Sequence, residues 1–175
     1  VGSLIDSLRT LPVWDNLLVI LLPDHGFLYD ITYEDPAFFH CPMLWLGGAI
    51  RQPKRIQTLM NQSDMAATLL AQMELPHDDF PWSRNVMSPH YTNPFAYSSF
   101  PGGILFADST GMSVYDITGE KSILERPAPD PQRINRAKAI LQSSYDRLDA
   151  MNSNPTTISR MPHCFPLLID KNFLS

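Results

Sequence analysis

Along residues 3–11 (SLIDSLRTL) the apolar positions Leu4, Ile5, Leu8 and Leu11 fall on one helical face, and Pro12 ends the pattern. Trp14-Asp15-Asn16 predicts a turn before the uninterrupted apolar run Leu17–Leu22. A run without alternation is apolar on both faces, as in a central strand of a sheet covered by helices. Pro23 stops the run, and Asp24-His25-Gly26 follows directly. From Phe27 to Phe39 the chain is aromatic and acidic without a period, which predicts a long loop, often a functional one after a buried strand. Pro42–Leu46 predicts a second core strand ended by Gly47-Gly48, and residues 51–61 a short edge strand or turn with basic Arg51, Lys54 and Arg55. Ser63 or Asp64 is placed to cap a helix at Asp64–Met73, whose Met65, Ala66, Leu69, Leu70 and Met73 form an apolar stripe. Residues 76–94 predict a proline-broken surface segment.

The pattern then changes. Phe95–Phe100, Ile104–Ala107, Met112–Ile117 and Ser122–Leu124 are short segments separated by turn residues, which predicts an antiparallel meander. Its aromatics Phe95, Tyr97, Phe100 and Phe106 are expected in its core. Pro127–Pro131 leads into a helix over 132–150, with Ile134, Ala137, Leu141, Tyr145 and Leu148 on its packed face and Arg133, Arg136, Lys138, Asp146 and Arg147 mostly off it. The expected class is α/β, a sheet sandwiched by helices over residues 1–94, with the meander, long helix and tail of 95–175 packed on it.

Composition narrows the function. Among 175 residues, sixteen prolines against eight glycines favour short elements and long loops over a helical bundle. A net charge of −5 argues against a nucleic-acid partner, which requires a basic face. The apolar run at 17–22 is far short of the roughly 20 residues that cross a bilayer, and no basic segment precedes a hydrophobic one. The expectation is a soluble chain without a membrane span. Its first helix starts at the first residue without a secure cap, as a cut inside a larger protein would. Cys41 and Cys164 make neither a disulfide framework nor a zinc knuckle, and whether they pair is left open.

The chemistry concentrates where the first apolar run meets Asp24-His25-Gly26. In open α/β sheets, ligands bind beyond the carboxyl ends of strands. One carboxylate oxygen and one imidazole nitrogen suit Zn²⁺ or Mn²⁺ better than Ca²⁺, which prefers oxygens alone. Gly26 would let backbone pass close to the ion or substrate. The competing reading makes Asp24 a turn cap and His25 a surface histidine. His77, His90 and His163 lie in proline-flanked turns or tail without ligand spacing. Arg84 is a candidate contact for an anionic substrate, with an ordinary exposed arginine as the alternative.

The stretch Asp15-Asn16-Leu17-Leu18-Val19-Ile20-Leu21-Leu22-Pro23-Asp24-His25-Gly26 resembles the W-D-N-T-L-V-V-x-x-x-D-H-G segment of the sulfatase branch of the alkaline phosphatase superfamily, closest to membrane-anchored sulfatase and lipoteichoic acid synthase-like proteins. His40–Gly48 resembles that family's h-x-P-L-l-h-x-G strand, Gln62–Leu70 its D-I-x-P-T-L-L helix, and Phe80–Asn85 the loop that follows. The resemblance covers about residues 1–125 and implies an alkaline phosphatase-like fold with one or two divalent cations (Mn²⁺, Zn²⁺, Mg²⁺ or Ca²⁺) at the strand ends. By it, Asp24 and His25 are adjacent metal ligands, and His40 falls where relatives place a basic or imidazole group near a sulfate- or phosphate-ester substrate. Capping of the incoming strand is the other reading of His40. The resemblance also implies a parent protein tethered to the cell membrane, with its catalytic domain outside the cytoplasm.

One departure stands out. The family's nucleophile and an early acidic ligand precede the Asp-His pair by far more than the 23 residues found here. Cys164-Phe165-Pro166 resembles the start of the formylglycine signature, but Leu167-Leu168 follow and the required arginine is missing. The expectation is the carboxyl-terminal half of a metal-dependent sulfatase or phosphoglycerol transferase, partnered by the missing amino-terminal half of the same protein and inactive alone. A different class stays beside it, a non-catalytic α/β interaction module that keeps the fold without the chemistry.

Overall fold

A computed structural model describes residues 1–26, 30–32 and 34–153. Helix α1 (Gly2–Arg9) forms where the leucine stripe predicts it, yet none of its residues is buried. A 3-10 turn at Trp14–Asn16 leads into β1 (Val19–Leu21), which pairs antiparallel with β2 (Leu44–Leu46) in the register Val19↔Leu46, Ile20↔Trp45, Leu21↔Leu44. Strand β1 is therefore shorter than the apolar run that predicted it, because it extends only as far as its pairing with β2. All three of its residues are half-buried rather than enclosed. Beyond β2 the chain closes back on the Trp14–Asn16 turn, where the Gly48 amide donates to the Trp14 carbonyl (3.1 Å) and the Ala49 amide to that of Leu17 (3.3 Å). Gly47 sits at φ +123°, where a Cβ would overlap the Leu17 carbonyl, so the approach requires glycine. Residues 51–61 form no strand.

Helix α2 (Asp64–Gln72) departs from its predicted stripe. Its buried positions are Asp64, Ala67 and Thr68, while Met65, Ala66, Leu69, Leu70 and Met73 are half-buried. Neither predicted cap operates: the Ser63 side chain makes no capping bond, and the Asp64 carboxylate turns inward. Asp64, with no exposed surface, accepts from the Asn61 amide (2.8 Å), the Arg84 amide (2.9 Å), Arg84 Nε (2.9 Å) and Arg84 Nη2 (2.5 Å). Such a bidentate fork neutralises a carboxylate that burial alone would penalise heavily. Around it, the Thr68 hydroxyl donates to the Asp64 carbonyl (2.7 Å), lies 3.2 Å from the Arg84 carbonyl and accepts from the Val86 amide, while Ser83 Oγ takes the Ala67 amide. Residues 76–94 are thus not a surface segment throughout: 83–86 dock on α2, and Val86 is buried. The Arg84 guanidinium also lies 3.8 Å from the Phe95 ring centroid and 5.2 Å from that of Tyr91. Burial pushes the Tyr91 phenol above its ordinary pKa against the pull of Arg84.

Strands β3 (Phe95–Phe100), β4 (Gly103–Asp108), β5 (Gly111–Asp116) and β6 (Lys121–Arg126) form a sequential antiparallel sheet in the order β3-β4-β5-β6. Helix α3 (Pro131–Ser153) packs across it, joining Ala137 to Ile104, Phe106 and Tyr115, with Phe95, Tyr97, Ile134, Ile140 and Leu141 around them. Arg133, expected off the packed face, is only 3% exposed. The sheet, its β4–β5 turn and the linker after β6 supply acceptors for it: Nε donates to Ser113 Oγ and Nη1 to Thr110 Oγ1 (3.1 Å each), and Nη2 to the Ala128 carbonyl (2.5 Å). Arg136 and Lys138 also turn to the sheet, onto Asp108 (2.7 Å) and the Tyr115 hydroxyl (3.0 Å). Tyr145 and Leu148, expected on the packed face, are 58% and 52% exposed. At about 1.5 Å per residue α3 runs roughly 34 Å, whereas a six-residue strand spans only about 20 Å, so the end of the helix overhangs the sheet. Two polar bonds tie the sheet to the segments around α2: Asn61 Oδ1 accepts from the Tyr97 amide (2.8 Å), and Arg84 Nη2 donates to the Phe95 carbonyl (3.0 Å). Among the described residues no helix is long and apolar enough to cross a membrane. Cys164, His163 and the tail around Phe165–Ile169 lie outside the described residues.

Two outcomes follow from these contacts. Removing one partner of a buried pair strands the other, so Asp64→Ala should lower unfolding free energy in urea by about 3–5 kcal/mol. Burial raises the Asp108 pKa, but the Thr110 hydroxyl and amide, with Arg136 and Arg133, outweigh it and hold the carboxyl below its ordinary 3.8. A depressed native pKa stabilises above the ordinary value, and that stability disappears as pH falls through the native one. The melting-temperature gap between the parent chain and Asp108→Asn should hold from neutrality to about pH 5 and close below about pH 4.

Candidate metal centre

Strand β1 ends at Leu21, and Pro23 cannot donate to a ladder, so the chain leaves the sheet there and exposes the next two side chains. Asp24 and His25 stand side by side, with Asp24 Oδ2 3.6 Å from His25 Nε2 and both side chains largely exposed. The other atoms of the pair have partners. Asp24 Oδ1 accepts the His25 amide (3.0 Å), and His25 Nδ1 meets the Gly26 carbonyl oxygen at 2.6 Å. A carbonyl oxygen only accepts, so Nδ1 carries a proton, and in that neutral tautomer Nε2 is the nitrogen with a free lone pair. Metal-ligating histidines are oriented in this way, with the second nitrogen bound to a backbone carbonyl or carboxylate.

The separation fits shared coordination better than a direct bond. At 3.6 Å the two atoms are too far apart for a hydrogen bond. With metal–ligand distances near 2.1 Å, two ligands on a tetrahedral ion stand about 3.4 Å apart. An anionic oxygen and a neutral imidazole nitrogen also match the ligand chemistry of Zn²⁺ and Mn²⁺. Two ligands are half a set, and among the described residues no group of three or more metal-ligating side chains occurs.

The turn is held at both ends. Gln62 Nε2, just before α2, donates to the Pro23 carbonyl at 2.5 Å. At the other end, a Cβ on Gly26 would overlap the carbonyl oxygen of Phe38. The backbone that Gly26 admits is therefore the chain's own, from the 3-10 turn Pro36–Phe39, rather than an ion or substrate. Asp35 caps that turn through the Ala37 amide, Phe38 is buried, and the Phe39 ring stacks on Phe100 of β3 at 6.0 Å. His40, exposed at the end of the same turn, is thus carried on the loop that lies against the Asp24–His25 segment. Arg84 stands elsewhere: its Nε and Nη2 are committed to Asp64 and Phe95, and Nη1 is buried without a hydrogen-bond partner. His77 and His90 fall in turns, as expected. Gln62 carries no sign of its role in the sequence, since an amide just ahead of a helix is commonplace and its partner lies 39 positions away.

No family model matches the chain, and no curated protein matches it. Among solved structures, it is similar to the crystal structure of a protein in the alkaline phosphatase superfamily from Vibrio parahaemolyticus, with a TM-score of 0.64 at 22% identity. The likeness covers 83% of this chain and 39% of that one, so the chain spans well under half the length of the structure it matches. The shared property is the fold: an α/β arrangement with two antiparallel sheets and a long carboxyl-terminal helix, matching part of an alkaline phosphatase-like architecture.

Gly26→Ala should push the Pro36–Phe39 turn away from the Asp24–His25 segment at a cost of about 1–3 kcal/mol. Urea unfolding measures that cost, and displaced amide resonances for His25 and Phe38 report the movement.

Proposed function

We propose that this chain is the carboxyl-terminal part of a divalent-metal-dependent enzyme acting on sulfate or phosphate esters, of the sulfatase or phosphoglycerol transferase kind, to which it contributes Asp24 and His25 as metal ligands. The observation that carries the reading is the pair itself: a carboxylate oxygen and an imidazole nitrogen 3.6 Å apart just beyond the end of a strand, with the other ring nitrogen bonded to a backbone carbonyl. Three sequence blocks in family order and a shared fold support it. A bound cation would polarise an ester oxygen and lower the pKa of a coordinated nucleophile. Asp24 would supply charge to that cation and His25 a neutral nitrogen in a set tautomer. His40, carried on the loop against Gly26, would contact the substrate ester in this reading. The nucleophile and the remaining ligands belong, in this reading, to an amino-terminal half of the same protein, which is membrane-tethered with its catalytic domain outside the cytoplasm.

Isothermal titration with Mn²⁺ and Zn²⁺ tests the pair. Binding should be weak, as two ligands allow, and Asp24→Ala should abolish it; binding indifferent to that change would favour the non-catalytic module. The polypeptide by itself should show no metal-dependent arylsulfatase or phosphodiesterase turnover, and measurable turnover would refute the division of the active site between two halves.

A further inference from the structure

We propose that Gln62 is a positioning residue for the Asp24–His25 pair, an inference that rests on the metal-ligand reading above and adds to it a side chain that touches neither ion nor substrate. The Pro23 carbonyl belongs to the peptide unit that joins Pro23 to Asp24. The proline ring already restricts φ at position 23 to about −65°. A hydrogen bond from Gln62 Nε2 to that carbonyl, at 2.5 Å, fixes the plane of the same peptide unit. Together they set the direction in which Asp24 leaves the backbone. The His25 amide is tied in turn to Asp24 Oδ1, so the orientation passes to the second ligand.

The arm that reaches Pro23 stands on a rigid base. The Asn61 amide is bound to Asp64 Oδ2 (2.8 Å), Asn61 Oδ1 holds the Tyr97 amide (2.8 Å), and the Gln62 carbonyl accepts from the Met65 amide (3.1 Å). Asp64 is anchored by Arg84. A contiguous set of bonds therefore runs from the buried ion pair through residues 61–64 to the Pro23 carbonyl. Gly26, seated against Phe38, closes the turn from the other side. An exposed glutamine bonded across 39 positions of sequence adds little to stability, which makes its effect separable from folding.

The test uses Zn²⁺ as the probe and the His25 ring resonances of the full chain as the site-specific readout. Gln62→Met keeps length and removes the donor; it should weaken Zn²⁺ affinity about tenfold, as loss of an outer hydrogen bond to a metal site typically does. The melting temperature should stay within a few degrees, and Gln57→Met, at an exposed glutamine elsewhere, should leave affinity unchanged. Should Gln62→Met unfold the chain, Gln62→Asn keeps the amide, shortens its reach, and should give the same loss. Unchanged affinity in the folded Gln62 variant, with binding abolished by Asp24→Ala and His25→Ala, would overturn the positioning role and leave the ligand pair standing. No Zn²⁺-dependent change at His25 in the unsubstituted chain would overturn the ligand reading and this inference with it.

Discussion

The buried ion pair between Asp64 and Arg84 organises the centre of this chain. A carboxylate with no exposed surface is tolerable only with its charge neutralised and its lone pairs filled, and Arg84 does most of both through Nε, Nη2 and its own amide. Each bond pulls in a different stretch. The Asn61 amide brings the segment before α2, Arg84 brings the loop after it, and the bond from Arg84 to the Phe95 carbonyl brings the start of the meander. The guanidinium also fills the space between the Tyr91 and Phe95 rings, where its flat face contributes cation–π attraction. Three segments that share no regular secondary structure are thereby held in one arrangement.

The candidate metal centre depends on that arrangement at second hand. Asp24 and His25 come from a turn with no buried side chain of its own, so their placement is borrowed from neighbours. Gln62 supplies one tie from the base built around Asp64, and Phe38 supplies the other against Gly26. Phe39 then couples that second support to β3 through Phe100. A turn held from two sides keeps an oxygen and a nitrogen in register although both are exposed, and ligand pre-organisation of that kind is what metal affinity requires.

Part of the apolar surface left open lies among the first fifty residues. Leu4 on α1, Leu11 and Val13 after it, and Leu44 on β2 are each at least 45% exposed, on the elements that flank β1 and the Asp24–His25 turn. The meander and the first turns of α3, in contrast, enclose Ile104, Phe106, Val114 and Ala137 almost completely. Burying the open leucines is favourable at about 25 cal/mol per Å².

Local pattern was enough to read the helix ahead of Pro12, the positions of both short strands though not their length or burial, and the four-stranded meander with its turns, because spacing and breaker residues encode each of them within a few positions. The same pattern erred wherever a polar side chain found its partner far away. Asp64 looked like a helix cap, residues 83–86 like surface, and Arg133 like the solvent side of a helix, yet Arg84, Thr68 and the Ser113–Thr110 pair draw them inside. Tyr145 and Leu148 erred the other way, since their periodicity is helical but the sheet ends before it reaches them. Hydrophobic spacing records which face of an element can be buried. Whether that face is covered, and which charge travels in with it, depends on contacts between residues 16 to 39 positions apart, and these exist only once the chain has closed on itself.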